Sequence, residues 1–553
     1  MVRTCMQWLW NSSHGIRSHI MLNGITGILR VCASLLFIYV CKQLVDMATG
    51  VSAGRLEYYV GLLIVAIVLE LLLSAWSTRL ENRNGIWLKN RLRFRLFSQL
   101  MVGCWDGKER YHSGDVVNRL EEDVRVVGEL LSKTFPLVCI TGFQLLAVFF
   151  FLSRLDSRLA WMLLLIMPLF LAVSKFYMKR IRLMTKEIRA TDSNVQAHLQ
   201  ENLQHRPLIQ SFEQSPVVTE KLGTLQENLF SQVMKQANFT LYSRLMVSAG
   251  FAAGYVTAFL WGIKGMNEGA ITFGVMTAFL QLVGMIQRPI VELSRQIPVF
   301  VQGMASVERL GELEELPVEE QGKSLTMKGE VGIRLENVSF AYPDGERNVI
   351  DRFSYDFIPG SRTAIIGETG VGKSTLIRLM LALLRPEKGV IRLYNDNTEM
   401  DVTAMTRSNL AYVPQGNTLM SGTVRENLLL GNPDATDEEL RMALFTAAAG
   451  FVYELPEGLD TLCGERGAGL SEGQAQRICI ARGVLRPGNV LLLDEFSASI
   501  DAATERLLLE RLALQTTGKT VIFITHREVV TEFCDRVIRL EKIFTNQEDK
   551  CMF

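Results

Sequence analysis

The sequence predicts a chain of two parts, an all-α transmembrane domain of six helices followed by an α/β domain. Three observations lead to this fold class. The chain has 553 residues, which is enough for about two to four domains. Long apolar stretches occur only in its first half. In its second half, short apolar strands alternate with helical stretches, as in α/β proteins.

Composition excludes several classes of protein. Hydrophobic residues make up 48% of the chain and charged residues 21%, which is unlike a disordered polyampholyte. Lys plus Arg and Asp plus Glu both number 58, so no net charge favours nucleic acid, and we expect no nucleic-acid partner. The nine cysteines are scattered without a Cys-x-x-Cys pair, which indicates reduced structural thiols and not a zinc or redox centre.

Six apolar stretches are each long enough to cross a hydrocarbon core of about 30 Å. They lie near residues 20–42, 58–80, 135–153, 159–178, 246–263 and 272–293. We therefore predict six membrane-spanning helices in a domain of residues 1–310. The first residues contain two tryptophans and a polar interruption, which fit an interfacial helix better than a removable signal peptide.

The distribution of basic residues predicts the orientation. Lys and Arg are concentrated in the connections after the second and fourth spans, so these connections and both termini should be cytoplasmic. The two connections, roughly 80–134 and 179–245, are far longer than usual and carry apolar residues every three to four positions. The spans should therefore continue as helices into the cytoplasm. Compact loops favour a bacterial inner membrane as the location of this multi-pass protein.

The composition changes near Glu308, where a charged stretch ends at Pro317 and glycines follow. We place a linker at 311–330, a soluble domain at 331–545 and a short tail at 546–553. The segments VGIRLENVSF, RTAIIG, VLLLDE and TVIFIT are predicted strands of that domain.

The most specific motif follows the strand RTAIIG and precedes a helical stretch. It reads GETGVGKST: Gly367, Glu368, Thr369, Gly370, Val371, Gly372, Lys373, Ser374 and Thr375. Strand, loop and helix together predict a phosphate-binding loop, since glycines let backbone amides surround phosphate oxygens at a helix N-terminus. Lys373 should bridge the β and γ phosphates and Ser374 should ligate Mg²⁺. The alternative, a glycine-rich turn that binds nothing, agrees poorly with this context.

Further candidate residues follow other predicted strands. Asp494 ends a strand and can hold the magnesium shell, and Glu495 can orient or deprotonate a water. His526 follows VIFIT, from where an imidazole could reach the γ phosphate. Gln415, in AYVPQG, offers a neutral oxygen for Mg²⁺ or water. Taken singly, these residues could equally be an acidic strand cap, a polar strand end and an ordinary loop residue.

The segment LSEGQAQRICIAR, residues 470–482, resembles the LSGGQ-x-QR signature of ATP-binding cassette (ABC) proteins. The family's aromatic loop, Walker A, Q-loop, signature, Walker B, D-loop and H-loop match, in order, Tyr342, GETGVGKST, Gln415, LSEGQ, Asp494–Glu495, Asp501 and His526. The resemblance covers the whole soluble half, which it identifies as an α/β P-loop NTPase of the ABC cassette type. The six spans and GMASVERLGELEE resemble an exporter-type half-transporter with both parts on one chain.

The resemblance implies an ATPase coupled to transport, with ATP and Mg²⁺ as cofactors and a dimer as the working form. Two cassettes would close head to tail over two ATP molecules. Tyr342 would stack on adenine, although a core aromatic is the alternative. Ser471 and Gly473, with Gln474 beside them, would contact the γ phosphate across the interface, and Asp501 would couple the two sites. Closure would pull on short cytoplasmic helices near 105–113 and 205–211, switching the pathway from inward-open to outward-open.

Three departures from the family pattern stand out. Glu472 occupies a signature position that is usually glycine. Its carboxylate would weaken binding of the γ phosphate by repulsion if it pointed inward and would be harmless if it pointed to solvent, and we expect solvent because Ser471 and Gly473 remain. DEFSASID replaces DEATSALD but keeps the acidic residues, so activity should survive. The terminal helices common in the family are expected to be shortened.

The membrane half says little about the cargo. Arg30 and Glu70 both lie near mid-bilayer, where they should pair or line a wet cavity. Gly250 and Gly254 form a GxxxG that predicts close helix packing, and Pro289 predicts a kink in the sixth span.

Two function classes compete. The first is an exporter of a lipid, a peptide or an amphipathic compound, and the second is an ATP-dependent regulatory or gating subunit without cargo. The presence of Glu495 and His526 favours the exporter, because a regulatory cassette could lose either residue. The partner is a second half-transporter, for which an identical copy is favoured over a different chain.

Overall fold

The computed structural model describes residues 2–104, 113–155, 157–343, 347–464 and 469–541. The chain divides into two compact units. One comprises Met1–Ser98 and Val116–Glu314, and the other comprises Gln99–Asp115 and Glu315–Phe553. The second unit therefore contains the middle of the first predicted cytoplasmic connection, 80–134, together with the soluble domain.

The first half of the chain is helical. Its helices are α1 (Val2–Ser12), α2 (Arg17–Ala48), α3 (Leu56–Met101), α4 (Ser113–Asn118), α5 (Val124–Glu129), α6 (Phe135–Leu155), α7 (Ser157–Gln204), α8 (Arg206–Ser211), α9 (Ser215–Asn267) and α10 (Phe273–Glu314). Two π-helical turns, Arg119–Asp123 and Leu130–Thr134, join α4, α5 and α6 into one long helical segment. As the apolar period predicts, α3 and α7 continue as helices well beyond their predicted spans.

Four described segments are long and apolar enough to cross a bilayer: Arg17–Ala48, Leu56–Met101, Gly114–Arg154 and Ser215–Asn267. They contain the predicted first, second, third and fifth spans. The apolar start of α10, Phe273–Met285, is shorter than these segments. The predicted fourth span lies on α7, where most side chains are outside the described residues. The chain is thus a multi-pass membrane protein.

A small apolar core joins three of these helices. Ile38 on α2, Val148 and Leu152 on α6, and Phe279 and Leu282 on α10 are all buried together. Burying such side chains contributes about 1.5–3 kcal/mol each in water, but within a bilayer close packing must replace much of this hydrophobic term.

In the membrane half, the predicted pairing of Arg30 with Glu70 is not found in the described residues, while the alternative that both line a wet cavity stays a prediction. No ion pair joins Arg30 to Glu70 in the part of the chain that the structure describes, and both side chains are partly exposed. A Cβ added at Gly250 or Gly254 would meet no described atom within 4 Å, so among the described residues no close packing partner of the GxxxG is found, and its close packing stays a prediction. Pro289 lies within the continuous helix α10, but its side chain is outside the described residues.

The soluble half has eleven strands and six further helices in the described residues. The strands are β1 (Gly332–Phe340), β2 (Ile350–Phe357), β3 (Arg362–Gly367), β4 (Lys388–Tyr394), β5 (Glu399–Asp401), β6 (Leu410–Val413), β7 (Gly422–Thr423), β8 (Leu462–Cys463), β9 (Val490–Asp494), β10 (Thr520–Ile524) and β11 (Arg536–Leu540). The helices are α11 (Lys373–Met380), α12 (Val424–Leu429), α13 (Asp437–Thr446), α14 (Glu472–Leu485), α15 (Ala502–Gln515) and α16 (Glu528–Thr531).

The strands form two main sheets. One is antiparallel, in the order β2-β1-β4-β5. The other has the order β11-β3-β10-β9-β6, and all its pairings are parallel. Strands β9 and β10 are buried along their whole length, as expected of apolar runs in the centre of a parallel sheet. The predicted fold class, an all-α membrane domain with an α/β domain, is confirmed.

Candidate active site

The parallel sheet gathers the candidate residues at one edge. Strands β3, β10, β9 and β6 are successive neighbours, so their carboxyl ends meet. The phosphate-loop motif follows β3, Asp494 ends β9, and Gln415 and His526 follow β6 and β10. In open parallel sheets, ligands bind in the crevice at this edge.

The loop after β3 requires glycine at defined positions. Gly370 and Gly372 have φ angles of +82° and +104°, in the left-handed region that favours glycine. A Cβ on Gly372 would also lie 2.9 Å from Ile350 Cδ1. Gly372 directly precedes α11, whose N-terminus has no side-chain cap. The amides of this first turn are therefore oriented toward the position an anion would take.

Lys373 is held by its own loop. Its ammonium donates to the carbonyls of Gly367 at 2.7 Å and Glu368 at 2.9 Å. Nζ also lies 3.0 Å from His526 Nε2. Burial lowers the pKa of Lys373, while the neighbouring carboxylates of Glu495 and Asp494 oppose that shift. The ammonium of Lys373 is thus bound by acceptors of its own loop.

Glu495 is the centre of a second cluster. Gln415 Nε2 donates to Glu495 Oε2 at 2.5 Å, and His526 Nε2 lies 3.0 Å from Glu495 Oε1. The backbone of Glu495 has a φ angle of +41°, a costly conformation for a residue with a side chain. Its N–H donates to the carbonyl of Ile524 at 3.0 Å, which fixes this conformation between β9 and β10. Sequence reasoning predicted all three polar residues, and the structure brings them together.

Asp494 provides a test of whether the site suits a magnesium ion. The side chain is buried, and its Oδ1 has no hydrogen-bond partner among the described residues. Burial raises the pKa of Asp494, and a hydrogen bond with Ser374 opposes the rise. An unpartnered carboxylate oxygen next to a hydroxyl is the hard-oxygen pair that Mg²⁺ prefers, so these residues fit the ion.

No cluster of three or more His, Cys, Asp or Glu side chains suited to a metal occurs among the described residues.

Tyr342 is engaged with α11. Its hydroxyl lies 3.1 Å from Thr375 Oγ1 and accepts from Arg378 Nη1 at 3.2 Å. Its ring meets Phe340 edge to face, with centroids 5.0 Å apart. The contacts place Tyr342 beside the phosphate-loop helix, while its stacking on adenine stays a prediction. Arg378, which sequence reasoning missed, carries no motif signal, because it lies inside a helical run.

The signature serine begins a helix. Ser471 Oγ accepts from the Gln474 N–H at 3.2 Å, and the Ser471 N–H donates to Gln474 Oε1 at 2.9 Å. This reciprocal pair is a capping box for α14. Asp501 caps α15 without a reciprocal bond: its carboxylate accepts from the N–H and the hydroxyl of Thr504, and these hydrogen bonds lower the pKa of Asp501. The S-x-x-Q spacing could have predicted the box from sequence.

Gly473 and Glu472 differ in their surroundings. A Cβ on Gly473 would lie 2.5 Å from the carbonyl oxygen of Ser499, so only glycine fits without a backbone shift. Glu472 is exposed, which agrees with the expectation that it points to solvent. In the described residues, the side-chain hydrogen bonds of Ser471, Gln474 and Asp501 stay within the starts of their own helices.

Gln476 is a further residue that sequence reasoning missed. It is buried, and its Nε2 lies 3.5 Å from the carbonyl oxygen of Glu495. Its Oε1 has no partner among the described residues. The available signal was the LSGGQ-x-QR signature itself, whose last glutamine is Gln476, although the sequence analysis gave this residue no role.

Of the two predicted short cytoplasmic helices, the second is α8, Arg206–Ser211, which is exposed along its length. The first lies almost entirely outside the described residues. The movement of these two segments with the cassette stays a prediction.

Two family models match the chain. One describes the ABC transporter transmembrane region and matches residues 20–290. The other describes the ABC transporter itself and matches residues 350–498. Together they cover both halves in the order that the resemblance implies.

The chain is also similar to curated proteins over most of its length. It is 29% identical to the ATP-dependent lipid A-core flippase of Pseudomonas fluorescens strain Pf-5, an alignment that covers 91% of this chain and 86% of that protein. It is 26% identical to the probable multidrug resistance ABC transporter ATP-binding/permease protein YheI of Bacillus subtilis, covering 90% and 86%.

A solved structure has the same fold. It is a bacterial Atm1-family ABC exporter with ATP bound, which matches with a TM-score of 0.79 at 21% identity and covers 95% of this chain and 94% of that one. The chain therefore belongs to the ABC transporter family, and it combines an exporter-type transmembrane region with the nucleotide-binding cassette of a transport-coupled ATPase.

Proposed function

We propose that the chain is one half of an ATP-driven exporter that moves a lipid, a peptide or an amphipathic compound out across the membrane. The observation that carries this proposal is the cluster of Lys373, Gln415, Glu495 and His526 at the end of the parallel sheet. It unites the groups needed to bind a triphosphate and to activate a water. The relatives' names, a lipid A-core flippase and a multidrug resistance transporter, support a lipid or amphipathic cargo.

In the proposed reaction, ATP binds with its phosphates in the loop before α11. Lys373 leaves the carbonyls of Gly367 and Glu368 and binds the β and γ phosphates instead. Asp494 and Ser374 would hold Mg²⁺, and when bound the ion would supply positive charge to the phosphate oxygens. Tyr342 stacks on the adenine.

Hydrolysis then uses the second cluster. Glu495 accepts a proton from the attacking water as its oxygen bonds to the γ phosphorus and the bond to the ADP oxygen breaks. Gln415 and His526 hold the carboxylate and the water in line, because both already contact Glu495 at hydrogen-bond distance. His526 also contacts the transferred phosphate.

A second chain completes the site. Ser471, Gly473 and Gln474 form the start of α14, whose N-terminus favours an anion, but their side chains make no hydrogen bond to the phosphate loop of the same chain in the described residues. We therefore infer that they bind the γ phosphate of a partner chain, and that Asp501 couples the two sites. An identical copy is the favoured partner, and a different half-transporter is the alternative.

We further propose that the protein lies in a bacterial inner membrane with both termini in the cytoplasm. The concentration of Lys and Arg in the connections after the second and fourth spans supports this orientation. The bacterial sources of the two relatives support the location.

The test is ATP hydrolysis by the purified full-length chain in lipid nanodiscs. Wild type should hydrolyse ATP, and Glu495→Gln should lose at least about 100-fold in rate while still binding ATP. Glu510→Gln is the matched control, since Glu510 is exposed and pairs only with Arg506 among the described residues. ATP binding without hydrolysis by wild type would contradict the homodimer and direct the search to a different partner. Failure to bind ATP would overturn the proposed function.

A further inference from the structure

The linker before the cassette pairs with the end of α3. The Cys104 N–H donates to the Pro317 carbonyl at 2.7 Å, and the Glu319 N–H donates to the Val102 carbonyl at 2.9 Å. Between these bonds, Gly103 lies opposite Val318 in an antiparallel bridge. We call residues 102–104 with 317–319 the linker pair. All six residues belong to the second compact unit.

The side chain of Glu319 extends this connection into the cassette. Its two carboxylate oxygens accept from Arg407 Nη1 and Nη2, each at 2.7 Å. Glu319 is 19% exposed and Arg407 26% exposed, so water screens the pair only in part. Two parallel charge-assisted hydrogen bonds of this kind fix orientation as well as distance.

Arg407 in turn binds the end of the phosphate-loop helix. Its Nε donates to the Leu381 carbonyl at 2.8 Å, and its Nη2 donates to the Ala382 carbonyl at 2.6 Å. These residues directly follow α11, and Ala382 turns the chain with a φ angle of +51°. The last carbonyls of a helix lack intrahelical partners and attract a cation. One guanidinium therefore joins the linker to the helix that begins at Lys373.

The short turn that carries Arg407 is itself fixed to the linker. The Leu325 N–H donates to the Met405 carbonyl at 2.9 Å. Asn409 donates from Nδ2 to the Leu325 carbonyl at 2.7 Å and accepts from the Met327 N–H at 2.6 Å. One backbone bond and two bonds of the Asn409 side chain thus hold the turn next to Arg407 independently of the ion pair.

The linker pair borders a cavity and not a close-packed layer of side chains. A cavity of about 600 Å³ is lined by Cys104, Glu319, Leu383 and neighbouring residues. The connection from the linker pair to the end of α11 therefore depends on the hydrogen bonds of Glu319 and Arg407 more than on close-packed side chains.

We propose that Glu319 and Arg407 are positioning residues for the nucleotide: they hold the end of the phosphate-loop helix and connect it, through the linker pair, to the cytoplasmic end of α3. This inference rests on the proposed function. The helix α3 is long and apolar enough to span the membrane. A displacement of its end would therefore be transmitted to the phosphate-loop helix by the side chains of Glu319 and Arg407.

The first test compares ATP kinetics of full-length variants in nanodiscs. Glu319→Gln and Arg407→Lys keep side-chain size but break the two-pronged pair. Each should raise the KM for ATP roughly 3- to 10-fold and change kcat less than about twofold, because the helix is misplaced while Glu495 is untouched. Glu320→Gln is the matched control, since its pair with Arg385 at 3.3 Å is exposed and lies one residue away.

Exchanging the two charges distinguishes the positioning role of Arg407 from a simple attraction between opposite charges. Glu319→Arg with Arg407→Glu restores an ion pair but places a carboxylate beside the carbonyls of Leu381 and Ala382, so it should not restore the KM. Recovery of the wild-type KM would contradict the role of Arg407. The role of Arg407 would also be contradicted if the single variants lowered the unfolding temperature but left the KM for ATP unchanged. In that case Glu319 and Arg407 would only stabilise the fold.

The second test asks whether the linker pair stays closed during turnover. Gly103 and Val318 face each other between two hydrogen bonds of the bridge, where Cβ atoms are close enough for a disulfide. Gly103→Cys with Val318→Cys, in a Cys104→Ser background, should cross-link on oxidation and keep ATP hydrolysis within about twofold of the reduced protein. A tenfold loss that a thiol reductant reverses would show that the pair must open, and would overturn the proposal.

These results distinguish the two levels of inference. If wild type neither binds nor hydrolyses ATP, the proposed function fails. If wild type is active and all the variants match it, only the positioning role fails.

Discussion

Lys373 and His526 are in direct contact, with Nζ of the lysine 3.0 Å from Nε2 of the imidazole. The same Nε2 lies 3.0 Å from the carboxylate of Glu495. A single ring nitrogen cannot accept from the ammonium and donate to the carboxylate at once, so its proton selects one of the two contacts. Nucleotide binding, which removes Lys373, would leave the imidazole free to donate.

His526→Ala should therefore separate binding from hydrolysis. We expect a fall in kcat of roughly 100- to 1000-fold, because Glu495 loses a partner and the γ phosphate loses a donor. Nucleotide affinity should stay within a few-fold, since Lys373 keeps its ammonium. Single-turnover hydrolysis and fluorescent-nucleotide binding measure the two quantities. Glu528→Gln, an exposed neighbour, is the control, and equal losses of binding and rate would contradict this division of roles.

Glu472 should weaken nucleotide capture between chains. Its carboxylate is exposed in the first turn of α14, where it competes with phosphate for the positive end of the helix. Glu472→Gly should lower the KM for ATP by about two- to fivefold, and Glu472→Gln should produce most of this change. Steady-state kinetics at two ionic strengths check both. A change with Gly and none with Gln would show that backbone freedom, not charge, is responsible.

Gly473 should tolerate no side chain. The carbonyl of Ser499 would lie 2.5 Å from an added Cβ, and a backbone atom cannot rotate away. Gly473→Ala should cost about 1–3 kcal/mol of stability and reduce hydrolysis more than tenfold, because the start of α14 must shift. Gly450→Ala is the control, since a Cβ there meets no described atom within 4 Å. Calorimetry and ATPase rates that match wild type would refute the steric argument.

The rate of hydrolysis should depend jointly on pH and Mg²⁺. Burial raises the pKa of Asp494, so this carboxylate takes up a proton at a higher pH than an exposed aspartate does. Activity is then lost as the pH falls through that raised pKa, because the protonated acid cannot hold the ion. Mg²⁺ competes with the proton, and tenfold more free Mg²⁺ should move the acid limb by up to about one pH unit toward lower pH.

ATPase profiles at two Mg²⁺ concentrations measure this shift, with ATP fully complexed in both and Na⁺ added to equalise ionic strength. An acid limb that does not move would show that proton uptake at another group limits the reaction.

Sequence reasoning predicted the cassette more completely than the membrane half. The strands that end at Gly367, Asp494 and Ile524 were visible as short apolar runs followed by polar residues, and parallel pairing then brings their ends together. Motif order supplied Gln415 and His526. These features are local in sequence, so they can be recognised without a structure.

The remaining features depend on contacts distant in sequence. Glu319 and Arg407 are 88 residues apart, and neither lies in a motif. The left-handed backbone of Glu495 follows from its position between two strands and not from its type. Arg30 and Glu70 invited a pairing because both are ionisable in apolar helices, but which faces meet depends on packing that helical periodicity does not specify.

The contacts of residues 325–327 determine how short an isolated cassette fragment can be. Met327 is buried in the core formed by the first strands, and its carbonyl accepts from Asn489 at 2.9 Å. A fragment cut at β1 would lack Met327 and would remove the Met327 acceptor of Asn489 and one of the two acceptors of Asn409, which would keep only the Thr406 carbonyl. Fragments for expression, antibody production or crystallisation should therefore begin upstream of Glu319. Protease accessibility of the 319–327 segment would then report whether an isolated cassette has kept its native edge.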